Sequence, residues 1–133
     1  HKDINVWDSL SICEYINEEI LGGVAWPASA KRRSSARSIS AECHAEFLSL
    51  KRDWPMNCKA SYPLTPSNQV VNEIARFDAI WSCCRRKYGE NGSYLFGRFS
   101  IADCMYAAMA IRFQSYEAEL SGEANTYMQT LLD

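Results

Sequence analysis

The sequence predicts an all-α domain of about five helices, because apolar residues recur at three- and four-residue steps over long stretches. Two further observations agree. Almost no stretch alternates with period two, the mark of a half-buried strand. Gly and Pro punctuate the chain at Gly22-Gly23, Pro27, Pro55, Pro63 to Pro66, Gly89 to Gly92, Gly97 and Gly122, leaving helix-length segments between them. At 133 residues, 47% of them apolar or aromatic, the chain is long enough for one real core.

The first helix starts at Asp8, whose carboxylate suits an N-cap because it accepts from unpaired backbone N–H groups. Trp7 and Ile12 stand at hydrophobic-staple positions. Ile12, Ile16 and Ile20 repeat every fourth residue, and Gly22-Gly23 stop the helix. The second segment reads as one long helix from Pro27 to about Asp53, with a stripe of Ile39, Cys43, Phe47, Leu50 and Trp54. Lys31, Arg32 and Arg33 near its start read as a solvated face. The third helix follows Ser67. Its seam is Val70, Ile74, Phe77, Trp81, Cys84 and Tyr88, and Gly89 ends it.

The fourth helix opens on Ser100-Ile101-Ala102-Asp103, a capping box, with Phe99 and Cys104 placed to form a staple. Ile101 to Ile111 is nearly all apolar or small, so this helix belongs at the centre of the bundle. The last helix, Gly122 to Leu132, carries Tyr127, Met128 and Leu131. Asp3 to Val6 read as the stub of an edge strand.

Composition limits the function. Lys plus Arg number 14 and Asp plus Glu 16, a net charge of −2, which argues against a nucleic-acid partner or an acidic membrane. No apolar run reaches membrane-span length. The start, His1-Lys2-Asp3, lacks the apolar stretch of a secretory signal, which predicts a cytoplasmic protein, and it reads as a fragment boundary or a tag remnant. Cys13, Cys43, Cys58, Cys83, Cys84 and Cys104 then read as free, mostly buried thiols. Cys43-His44 lacks zinc-ligand spacing, so no metal is assigned.

Two segments carry a family resemblance. Val6-Trp7-Asp8-Ser9-Leu10-Ser11-Ile12-Cys13-Glu14-Tyr15-Ile16 resembles the segment that opens the last helix of the thioredoxin-like domain in cytosolic glutathione S-transferases. Tyr94-Leu95-Phe96-Gly97-Arg98-Phe99-Ser100-Ile101-Ala102-Asp103 resembles the segment that opens the buried central helix of that family's C-terminal domain. Ala41 to Phe47, continuing to Pro55-Met56-Asn57, is similar to the long first helix of that domain in bacterial members. The resemblance implies a glutathione S-transferase C-terminal-like helical bundle at 23–133, preceded at 1–22 by a remnant of the thioredoxin-like domain, a strand stub and its final helix. It implies glutathione as co-substrate, a small electrophile as second substrate, no resident cofactor and a homodimer.

The family's thiol-activating Tyr, Ser or Cys lies on an upstream strand-helix-strand unit. No position in this sequence corresponds to it, so the catalytic residue is unassigned. Asp8-Ser9 carries two readings, a plain helix cap or, as the resemblance implies, the seat of the γ-glutamyl end of glutathione. A helix N-terminus suits a carboxylate in either case. The resemblance also marks Arg37, His44, Phe47, Arg112 and Tyr116 as candidates for the second-substrate cleft. Ser100 and Asp103 read as a structural cap. An alternative function is a non-enzymatic helical interaction or dimerisation module, because Trp7, Ile12 and Ile16 would otherwise stay uncovered.

Overall fold

The computed structural model describes residues 1–59 and 61–133. Among these the chain is all-α, with six helices: α1 Ser9–Glu19, α2 Ala30–Ala45, α3 Leu48–Asp53, α4 Asn68–Tyr88, α5 Ile101–Ser115 and α6 Gly122–Leu132. The described residues contain no β-strand, only isolated bridges of Tyr94 with Gly97 and of Phe96 with Arg98. No helix among them is long and apolar enough to cross a membrane.

The expected strand stub at Asp3 to Val6 does not form. Lys2 and Asp3 take left-handed backbone, φ 49° and 62°, and the Ile4 N–H folds back onto the His1 carbonyl at 2.9 Å. That is turn geometry, which extended pairing excludes.

The expected long second helix is two helices. Phe47 takes left-handed backbone, φ 65° and ψ 42°, and breaks it. A non-glycine residue there costs about 1–2 kcal/mol. Three contacts offset that cost. The Phe47 ring packs on Phe77 at 4.1 Å between centroids. Lys51 Nζ donates to the carbonyls of Cys43, His44 and Glu46 at 2.9, 2.9 and 2.7 Å, satisfying the open end of α2. The Glu73 carboxylate accepts from the N–H groups of Ser49 and Leu50 at 3.1 and 2.7 Å, satisfying the start of α3.

α4 behaves as its spacing predicts: Val70, Ile74, Phe77, Trp81, Cys84 and Tyr88 are all buried. The Ser67 hydroxyl caps its start by accepting from the Val70 N–H at 3.3 Å. α5 is the central helix, packed against α1, α2 and α6. Between α4, α5 and α6 lies an aromatic cluster. Trp81 meets Tyr106, Phe113 and Tyr127 edge-on at 5.7, 5.5 and 5.0 Å, and Phe77 meets Phe113 at 5.2 Å. Such edge contacts each add about 0.5–1.5 kcal/mol beyond burial.

The start of α5 holds the most constrained polar group. Asp103 is fully buried, and its carboxylate accepts four hydrogen bonds. Oδ2 takes the Ser100 N–H at 2.8 Å and the Ser100 hydroxyl at 2.9 Å. Oδ1 takes the Leu95 N–H at 3.1 Å and the Tyr127 hydroxyl at 2.8 Å. The predicted capping box therefore forms and extends to the preceding turn and to α6. Burial pushes the Asp103 carboxyl above its ordinary pKa, while the donors from Leu95, Tyr127 and Ser100 pull it back. The predicted staple partner Phe99 is exposed and lies edge-on to Tyr94 at 5.1 Å instead.

The six cysteines are unbridged, as expected, but only Cys43 and Cys84 are buried; Cys58, Cys83 and Cys104 are exposed. Burial pushes the Cys43 and Cys84 thiols up to about 12.

Two outcomes follow from this packing. Asp103→Asn turns an amide NH₂ toward two donors in either orientation and should cost about 2–4 kcal/mol in urea unfolding, against about 1 kcal/mol for Tyr127→Phe. Cys43 and Cys84 keep their protons in the folded protein above pH 9, where the unfolded chain loses them. Stability they contribute below that pH is therefore lost as pH rises from 9 towards 12. Iodoacetamide at pH 8 should label Cys58 and Cys83 at once and spare Cys43 and Cys84 until unfolding, as read by peptide mass.

Candidate functional site

α1 and the face of α2 beside it form the candidate site. Asp8 caps α1 as predicted: Oδ1 accepts from the Leu10 and Ser11 N–H groups at 3.0 and 3.2 Å. Its other oxygen, Oδ2, lies 2.9 Å from His44 Nε2 on α2. Ser9 is exposed at the first position of α1, and no protein group among the described residues bonds its N–H or hydroxyl. The end of α1 thus offers an N–H, a hydroxyl and the positive end of the helix dipole beside a carboxylate whose other oxygen faces His44.

A second tie lies two turns along α2. The Arg37 Nε stands 3.7 Å from Glu14 Oε1, and the guanidinium stacks over the Trp26 ring at 5.5 Å. Glu14 Oε2 accepts from Trp26 Nε1 at 2.9 Å. Arg37 and His44 are seven residues apart on one face, so both reach α1. They fasten α1 to α2. These ion pairs are part-exposed, and each is worth about 0–1 kcal/mol.

The far end of α1 is held from inside. Asn17 is buried, and its Oδ1 accepts from the Ala25 N–H at 2.8 Å. Gly22 and Gly23 take φ 66° and 81°, which suits only glycine without strain, and they turn the chain toward α2. Leu10 and Cys13 pack on the core. The opposite row, Ile12, Ile16 and Ile20, faces outward; Ile20 is 61% exposed and the preceding Trp7 80%. The expected staple of Trp7 on Ile12 therefore leaves Trp7 open to solvent.

The other cleft candidates stand elsewhere. Phe47 is in the core against Phe77. Arg112 donates to the Trp54 carbonyl at 3.1 Å and the Ala108 carbonyl at 3.3 Å, and burial lowers its pKa, so it is a strut between α3 and α5. Tyr116 stacks on Trp54 at 5.0 Å and donates to the Pro55 carbonyl at 3.0 Å, on the edge of a different cavity. Phe47, Arg112 and Tyr116 are thus bonded apart from the α1–α2 ties of Arg37 and His44. Ser100 and Asp103 are joined in the cap described above, away from solvent.

Sequence reasoning missed Glu14 and Asn17, whose partners Trp26, Arg37 and Ala25 lie beyond the glycine turn. The signal available was a polar residue at a helical step from Leu10 and Cys13, where an apolar one belongs. Among the described residues no group of three or more His, Cys, Asp or Glu is placed to hold a metal ion. No family model matches the chain, and no curated protein matches it.

The open cap makes a direct prediction. Asp8→Ala removes both the cap bonds and the tie to His44, and should cost about 1–2 kcal/mol. His44→Gln should cost less than about 1 kcal/mol, because an exposed pair contributes little. Thermal unfolding of the two variants measures the difference.

Proposed function

We propose that this chain is the helical part of a glutathione S-transferase-like protein. In this reading α1 joins a thioredoxin-like domain to the helical domain at 23–133. The Ser9 N–H and hydroxyl hold the γ-glutamyl carboxylate of glutathione, with Asp8 orienting its amine. The carrying observation is α1 itself. One of its faces is tied to α2 and α5, its opposite row Ile12, Ile16 and Ile20 is uncovered, and its N-terminus presents donors without protein partners. A helix apolar on two sides packs between two layers, and a free N-terminal donor pair suits a carboxylate.

Chemistry in such a protein is attack of the glutathione thiolate on a small electrophile. Lowering the thiol pKa needs a donor at the sulfur. In this reading the thioredoxin-like domain supplies it, and His44, tied to Asp8, is not the base. A cytoplasmic setting fits six unbridged cysteines.

The uncovered row favours one other reading, a non-catalytic module that self-associates through α1. A homodimer burying Trp7, Ile12 and Ile16 would remove that patch from water.

Calorimetric titration with glutathione separates the two. The transferase reading predicts saturable binding to the 133-residue protein, weakened about tenfold by Ser9→Ala, and conjugation of a model electrophile once the reading frame is extended upstream. No binding and no conjugation by the extended protein overturn it. Sedimentation showing a dimer that Ile16→Glu dissociates, without glutathione binding, selects the module.

A further inference from the structure

We infer that the cavity beside Trp54 and Tyr116 binds a small organic cation with an apolar body. It shares no residue with Asp8-Ser9 and stands independently of the glutathione reading. Its volume is about 630 Å³, within the range of about 300–1,000 Å³ typical of small-molecule sites. It is built by the end of α3, the segment before α4, the outer side of α4 and the turn after α5. Trp54, Val71, Ile74 and Tyr116 supply apolar walls, two of them stacked aromatic rings.

The charged residues that line the cavity have one sign. Asp78, Glu117 and Glu119 line the cavity, and no Lys, Arg or His does among the described residues. Low-dielectric walls around carboxylates of one sign focus a negative potential. The three carboxylates are not equally committed. Asp78 is occupied: its oxygens take the Ser121 N–H, the Ser121 hydroxyl at 2.8 Å and the Ser82 hydroxyl at 3.3 Å. Glu117 gives one oxygen to the Ser61 hydroxyl at 2.7 Å. Glu119 has no hydrogen bond or ion pair among the described residues.

Glu117 also takes a backbone conformation that is costly for a non-glycine residue. Its φ is 55°, left-handed, at the turn closed by the Ala118 N–H on the Phe113 carbonyl at 2.9 Å. Glycine ends helices in this conformation without strain. Together, an apolar cavity and an acidic edge with one unpaired carboxylate fit an ammonium group with a flat or aliphatic body. They do not fit an anion.

The test uses one body with three charges: 2-(1-naphthyl)ethylammonium, the matching neutral alcohol and 1-naphthylacetate, titrated into the ¹⁵N-labelled protein. The cation should shift the amides of residues 71–79 and 116–119 saturably. It should bind about tenfold tighter than the alcohol, and the acid should bind most weakly. Glu117→Gln with Glu119→Gln should bring the cation down to the alcohol's affinity. Glu117→Gly should raise the urea midpoint, which shows the fold intact, and still weaken the cation severalfold. Equal binding of cation and alcohol, shifts confined to Ile12, Ile16 and Ile20, or no shift at millimolar cation each overturn the inference.

Discussion

The structure depends on one buried carboxylate. Asp103 lies at the start of the central helix with both oxygens fully committed to donors from three places in the chain. Ionising a carboxylate away from water is expensive, and only a complete set of donors makes it tolerable. That requirement is why the turn at Tyr94 to Gly97, the start of α5 and the middle of α6 must form together. Gly92 belongs to the same constraint: a Cβ there would stand 2.1 Å from the Gly97 carbonyl oxygen, so the turn that delivers the Leu95 N–H closes only around glycine. Arg85 fastens this turn to α4 by donating to the carbonyls of Gly92 and Tyr94.

From α5 the order passes outward to the candidate site. α5 supports α2 through burial of Ala36 and Cys43 and the Tyr106 hydroxyl on the Ile39 carbonyl at 3.0 Å. α2 then presents Arg37 and His44 to α1. The last link is slighter: part-exposed ion pairs, the Asn17 and Glu14 hydrogen bonds and a thin apolar strip hold α1. The helix carrying the open N-terminus is therefore held to the core by fewer contacts than α4 or α5.

Much of this was legible in local pattern. The seam of α4, the capping box at Ser100 and Asp103, the central place of α5 and the bounds of α6 each rest on residues within a few positions of one another. The break at Phe47 was not, because an apolar stripe runs unbroken through it. The residues that make the break tolerable, Lys51 and Glu73, look like ordinary surface charges until the fold brings Glu73 to the start of α3. The site was legible in part. Asp8 and Ser9 sit as a cap motif implies. Arg37 and His44 are polar residues whose partners lie on another helix, and spacing alone does not distinguish a tie from an open cleft. The cavity at Tyr116 draws on four separated segments, so no window of sequence contains it.

The claim that Asp103 organises the fold is tested most directly by native-state hydrogen exchange at the Leu95 amide. This amide lies in a turn, where exchange is ordinarily fast, yet it donates to the buried carboxylate. The account predicts that it exchanges only through global unfolding, with the same urea dependence as the Trp81 amide in α4. Exchange through a local opening insensitive to urea would contradict it.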